Sequence, residues 1–132
     1  MIKLVHCVCR RPRLTVAQFR AAWEVFGERL REVAIELGAT RVTLSTTLES
    51  PLNDALAEAR GSARPFDGIA EIVWPSGVTI LEEASLPAAR AHIARLRVFQ
   101  DEFVDPGQSA FFFVHEQELL EERELAGRGP AR

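Results

Sequence analysis

The sequence contains no strongly basic stretch, no apolar run reaching the roughly 18 residues of a membrane span, and only two cysteines. Each absence removes a class. Sixteen Lys and Arg against nineteen Asp and Glu give a formal charge of −3, so the electrostatic footprint of a nucleic-acid binder is missing. Neither nucleic acid nor a membrane is an expected partner. The N-terminus lacks the succession of charge, apolar core and small-residue cleavage site of a secretory signal, which makes the cytoplasm the expected compartment. Glycine-rich phosphate loops, a nucleophile elbow, zinc-ligand spacings and a Ser/His/Asp grouping are absent too. Most cofactor-dependent classes are thereby excluded, and no cofactor is expected.

Cys7 and Cys9, two apart in a strand, share one face at about 6.8 Å of rise. That spacing suits neither a disulfide nor, alone, a tetrahedral metal site. Two reduced thiols packed as small apolar groups are expected.

The 132 residues amount to one domain. Residues 2–9 carry apolar groups at both parities, as expected of a strand buried on both faces. Thr15 with Gln18 forms a capping box, and Leu14 with Phe19 a hydrophobic staple. Val16, Phe19, Trp23, Phe26, Leu30, Val33 and Leu37 then make one apolar stripe at helical spacing, ending at Gly38. Gly27 interrupts that helix at a cost of about 1 kcal/mol relative to Ala and reads as simply tolerated.

Thr40 to Leu48 predicts a second strand and 66–74 a third, with a polar loop between them that holds one short helix over 52–59. In the third strand Gly68, Ala70, Ile72 and Trp74 share one face, where small residues let a helix pack closely. Glu71 faces away. A helical region over 75–103 breaks near Ser85-Leu86-Pro87, with Ser placed to cap the second part. DPGQ at 105–108 is a turn, and a fourth strand follows in which Phe111 and Phe113 oppose Phe112 and Val114. Residues 120–132 form a charged, then Gly/Pro-rich tail expected to be disordered.

This order is that of an α+β, ferredoxin-like βαββαβ domain: a four-stranded antiparallel sheet with helices on one face. The other face would expose an apolar patch too large for a monomer, so a partner subunit is expected over it. Two such sheets facing each other make a dimeric α+β barrel enclosing a small-molecule pocket.

IKLVHCVCRRPRLTVAQFRAAW resembles the opening of EthD-like proteins of the dimeric α+β barrel superfamily, and FDGIAEIVW with the later DEFVDPGQS resembles the remainder, over about residues 1–118. The resemblance implies an EthD-like domain over 1–119, a homodimer, and a small apolar or aromatic, polyketide-like ligand. Relatives include cofactor-free monooxygenases, polyketide cyclases, isomerases, haem-binding enzymes and accessory proteins of ether-degradation operons. The family's first helix typically continues from Trp to a His four residues on, then a small residue, Pro and Leu. Trp23 and Leu30 match, but EVFGER lies between them, with Gly27 or Phe26 at the position of His.

Glu71 matches the family's acidic residue on the third strand. In an apolar pocket it would work as an acid or base near neutral pH; the alternative is a carboxylate paired with an Arg at the rim. His6 and His115, on strands that this topology makes neighbours, are either proton shuttles assisting Glu71, haem ligands, or ordinary hydrogen-bonded histidines. His92 is expected to face solvent. Trp23 and Trp74 either flank an aromatic ligand or pack on each other in the core. Lys3 either binds an anionic group at the pocket mouth or is an exposed edge residue. Asp67, Ile69, Val73, Phe111 and Phe113 complete the expected pocket lining. The leading expectation is acid/base or oxygenase chemistry on a small molecule, the alternatives a non-catalytic binding protein or a haem protein.

Overall fold

The computed structural model describes residues 1–120 and 122–127. Its strands are β1 (Ile2–Val8), β2 (Arg41–Thr46), β3 (Gly68–Trp74) and β4 (Ala110–His115), and its helices α1 (Val16–Glu36), α2 (Pro51–Arg60), α3 (Gly77–Ala84), α4 (Pro87–Asp101) and α5 (Glu122–Gly127). The strands form one antiparallel sheet in the order β2-β3-β1-β4. This is the ferredoxin-like split βαβ arrangement, with α2 inserted between β2 and β3 and the second crossover divided into α3 and α4. Part of the tail expected to be disordered is the helix α5; residues 121 and 128–132 lie outside the described residues.

Local chemistry fixes α1. The Thr15 side chain accepts from the Gln18 amide while the Gln18 side chain accepts from the Thr15 amide, and the helix closes at Gly38, whose φ of 73° suits glycine. α4 starts differently from expectation. Leu86 is its N-cap without a side-chain bond, and the Ser85 hydroxyl instead donates back to the Glu82 carbonyl.

The core lies between α1, α4 and one sheet face. Phe19, Trp23, Phe26 and Leu30 of α1 and Ala89 of α4 are buried with Val8, Ala70, Ile72 and Trp74, and with Phe103 and Val104 beyond α4. Trp23 is stacked between Phe26, 5.1 Å away at 2°, and Phe19, 5.6 Å away at 23°. Its Nε1–H donates to the Ser45 carbonyl. Trp74 donates in the same way to the Leu37 carbonyl. The two tryptophans are therefore both core residues, but they sit at opposite ends of β3, because Trp23 covers Gly68 rather than Trp74.

Two glycines record close approach. A Cβ at Gly68 would come within 2.7 Å of the Trp23 indole, and one at Gly27 within 2.7 Å of a Leu44 methyl. Gly27 is thus a packing residue, not a merely tolerated one. The obstacles differ in stiffness: the indole is stacked and hydrogen-bonded, whereas Leu44 ends in a rotatable methyl. Gly68→Ala is expected to cost about 1–3 kcal/mol by overpacking. For Gly27→Ala, the gain of about 1 kcal/mol in helix propensity offsets the displacement of Leu44, so its stability should stay near that of the parent. Urea unfolding of both variants checks this; equal losses would contradict the packing account.

Candidate functional site

Strand parity sorts the candidate residues onto two faces. On the helix side, His6 lies between Ala70 and Phe111, and Leu4 between Ile72 and Phe113, with His115 opposite Ile2. On the open side, Lys3 lies between Val73 and Val114, Val5 between Glu71 and Phe112, and Cys7 between Ile69 and Ala110. The single pocket expected to hold Glu71, the histidines, Ile69, Val73, Phe111 and Phe113 is therefore two surfaces. Glu71 and His6 are separated by the sheet and cannot share a substrate within one chain. His6 and His115 do share a face but stand four residues apart along neighbouring strands, about 13 Å. They do not meet.

The open side carries a chain of charges. Lys3 Nζ lies 2.9 Å from Glu71 Oε2 and 2.7 Å from Glu116 Oε2, and the Arg41 guanidinium lies 2.8 Å from Glu116. Glu71 is thus paired, with Lys3 in place of the expected Arg. Hydrogen bonds to Glu116 and then Glu71 raise the Lys3 pKa, while the bond from Lys3 lowers that of Glu116. Because Arg41 reaches from β2 to a carboxylate beyond β4, its side chain crosses the row that holds Val73. Val73 is only 2% exposed, which removes it as lining. Beside this charged end lie Val5, Cys7, Ile69 and Phe112. Burial, and then the Glu71 charge, push the Cys7 thiol pKa up; burial, and then Asp67, do the same for Cys9. Both thiols are free.

Asp67 accepts from the Arg10 amide and guanidinium, each at 2.8 Å. It joins the end of β1 to the start of β3 and is occupied structurally. A groove of ≈ 490 Å³ beside it, between the start of α1 and the residues around Ser50 and Phe66, contains no other expected site residue. His92, expected to face solvent, keeps 43% of its side chain exposed while pairing with Glu36 and tying α4 to α1.

The helix side offers the more specific chemistry. His6 Nδ1 lies 3.0 Å from Nε2 of Gln100, a residue of α4 that is 5% exposed. An amide nitrogen only donates, so Nδ1 accepts and the ring proton resides on Nε2. Phe111 meets the ring edge-on at 4.9 Å, and Phe26 lies at 6.4 Å. Burial lowers the His6 pKa to about 4, and no charged group among the described residues opposes it; the imidazole is neutral at physiological pH. Among the described residues Nε2 has no hydrogen-bond partner, yet no unpartnered side-chain nitrogen or oxygen is sealed from solvent. Nε2 therefore keeps access to solvent, and on the same face stand Phe111, in contact with the ring, and Phe113 two residues along β4, which are 41% and 56% exposed.

Gln100 was not anticipated. The signal was its place on the buried stripe of α4, four residues after Leu96 and three before Phe103, where a polar side chain must find a partner. Haem does not fit either histidine. His6 would have to shed the Nε2 proton that Gln100 directs there, and His115 is exposed at the end of an edge strand.

No family model and no curated protein matches this sequence. Solved structures do. The chain is similar to a dimeric protein of unknown function with a ferredoxin-like fold from Bacteroides fragilis, at 9% identity and a TM-score of 0.59 over 87% of this chain and 95% of that one. It is also similar to an EthD family protein from Bacillus halodurans, at 13% identity and 0.57 over 89% and 99%. A third is SnoaB, a cofactor-independent oxygenase from Streptomyces nogalater, at 15% and 0.54 over 92% and 97%. At such identities the likeness establishes the ferredoxin-like fold. The family resembled in sequence is represented among these neighbours.

The neutral His6 has a stability consequence. Its pKa falls from 6.5 unfolded to about 4 folded, so the unfolded chain takes up the proton first as the pH drops. Its contribution is fully present above pH 6.5 and is lost on acidification towards pH 4, amounting to at most about 3 kcal/mol. The stability difference between the parent and His6→Gln should shift by up to that amount against the parent between pH 7 and 4. Parallel stability-pH curves in urea unfolding would show that His6 is not desolvated.

Proposed function

We propose that the protein binds a small apolar or aromatic molecule on the helix-facing side of its sheet, against Phe111 and Phe113, with His6 as the polar contact, and that it does so as a homodimer joined through the opposite face. The observation that carries this reading is that His6, its Nδ1 engaged by Gln100 and its Nε2 unpartnered among the described residues, shares a sheet face with two half-exposed phenylalanines. Uncovered rings supply area, and a single donor supplies orientation. A neutral imidazole donor can polarise a carbonyl and stabilise an enolate-like oxygen, as in cofactor-free proton-transfer chemistry. SnoaB, a fold neighbour, is a cofactor-independent oxygenase, which supports the cofactor-free form of the reading.

On this account Glu71 belongs to the interface. Paired with Lys3 and flanked by Val5, Ile69 and Phe112, it marks the surface that a second copy covers; Phe112 is 45% exposed without such a copy. That a ferredoxin-like neighbour is dimeric supports the presence of a second copy. A purely binding, non-catalytic role has its own support: among the described residues His6 has only Gln100 as a side-chain hydrogen-bond partner, Glu71 faces away, and His115 lies four residues distant along the strand direction.

Adjacent residues on β4 separate the two surfaces. Phe113→Ala should weaken binding of 1-acetonaphthone about five- to tenfold by calorimetry, since covering a half-exposed ring is worth on the order of 1 kcal/mol, and should leave the dimer intact. Phe112→Ala should do the reverse, raising the dimer dissociation constant in sedimentation equilibrium while preserving ligand affinity. Exchanged or identical effects would refute the assignment of faces.

A further inference from the structure

We infer that Gln100 is a positioning residue that fixes His6 as an Nε2–H donor, so that the site selects ligands carrying a hydrogen-bond acceptor, a carbonyl or phenolate oxygen, over apolar molecules of the same shape. This rests on the helix-side binding reading and deepens it.

The argument is one of donors and acceptors. A neutral histidine has one donor nitrogen and one acceptor nitrogen, and the partner of one decides the character of the other. The Gln100 amide nitrogen reaches Nδ1 at 3.0 Å from a side chain that is 5% exposed, so little solvent competes for that bond. The backbone at Gln100 is fixed by the end of α4, where its main-chain carbonyl accepts the amides of Phe103 and Val104 at 3.1 and 2.9 Å. Phe111, edge-on to the imidazole at 4.9 Å and 85°, limits rotation of the ring. These contacts hold the imidazole plane and its tautomer, and leave Nε2–H without a protein partner among the described residues and not sealed from solvent. A ligand lying on Phe111 and Phe113 meets that N–H at its edge. An acceptor oxygen there makes a hydrogen bond, whereas a hydrocarbon strips water from the N–H and returns nothing.

The test uses full-length protein and a matched pair of probes, 1-acetonaphthone and 1-ethylnaphthalene, equal in ring system and unequal in acceptor. Nitrogen-15 NMR of histidine-labelled protein should show the His6 proton on Nε2, and the ketone should bind about three- to tenfold more tightly than the hydrocarbon, the range expected for one neutral hydrogen bond. Gln100→Glu places an acceptor-only carboxylate opposite Nδ1; because that charge favours the imidazolium, the variant is read at a pH where nitrogen-15 shifts show its ring neutral, and there the one proton should sit on Nδ1 and the ketone preference should disappear. Gln100→Met, similar in size and without a donor, covers the case in which the buried carboxylate prevents folding: it should give mixed tautomers and a reduced preference. If Gln100 were only structural, both variants would lose stability with the Nε2 tautomer unchanged, which overturns the inference. A proton on Nδ1 in the parent overturns it as well. Equal affinity for the two probes refutes the selection by acceptor while leaving the aromatic wall standing, and failure of both to bind removes the wall together with the inference.

Discussion

The close seating of Trp23 on Gly68 is the constraint from which the rest of the structure follows. Without a Cβ at position 68 the indole lies directly on the first residue of β3, where its N–H reaches the Ser45 carbonyl of β2. That contact sets the depth of α1 over the sheet. Phe19 and Phe26 stack on either side of the indole, and Phe26 is thereby carried to the neighbourhood of His6. The residue that follows Phe26 must then be small, because α1 at this depth brings position 27 against Leu44. The Phe-Gly step in place of a histidine is a packing solution in this chain. In the function proposed above, the polar contact is His6 of β1.

With α1 seated, the pleat of β1 distributes the chemistry. His6 goes to the side where helices exclude water and an amide from α4 can reach it; Lys3, Val5 and Cys7 go to the side where no helix lies. Desolvation keeps the imidazole neutral. On the other side, Lys3 lies between the carboxylates of Glu71 and Glu116, within 2.9 and 2.7 Å. One strand therefore carries a neutral hydrogen-bonding surface and a charged, partly apolar one, back to back. This separation argues for distinct tasks, ligand contact on one side and subunit contact on the other.

Much of this was legible in the sequence. Thr15 and Gln18 announced the helix start, the stripe from Phe19 to Leu37 gave its buried face, and Gly68 with Ala70 marked where a helix packs closely. The orientation of Glu71 away from the helices followed from alternation in β3. Other features depended on pairing between distant segments. Whether His6 met His115 was a question of the β1–β4 register, which no local pattern specifies. The Lys3–Glu71 pair joins positions 68 apart in sequence and His6–Gln100 positions 94 apart. The assumption that the pocket lay between two sheets led Phe111 and Phe113 to be grouped with Ile69 and Val73, although the parities of the two strands already allowed opposite faces. Gln100 is a neutral amide on an apolar stripe, and nothing local in the sequence shows that its partner is a histidine 94 positions away.

The central claim is that ligand contact occurs on the helix-facing side, at His6, and not on the open face at Glu71. Chemical-shift mapping of isotopically labelled protein during titration with 1-acetonaphthone addresses it most directly. The account predicts saturable shifts at His6, Gln100, Phe111 and Phe113, with Val5, Ile69, Glu71 and Phe112 unmoved. Shifts confined to the second set would place the ligand between the sheets and contradict it.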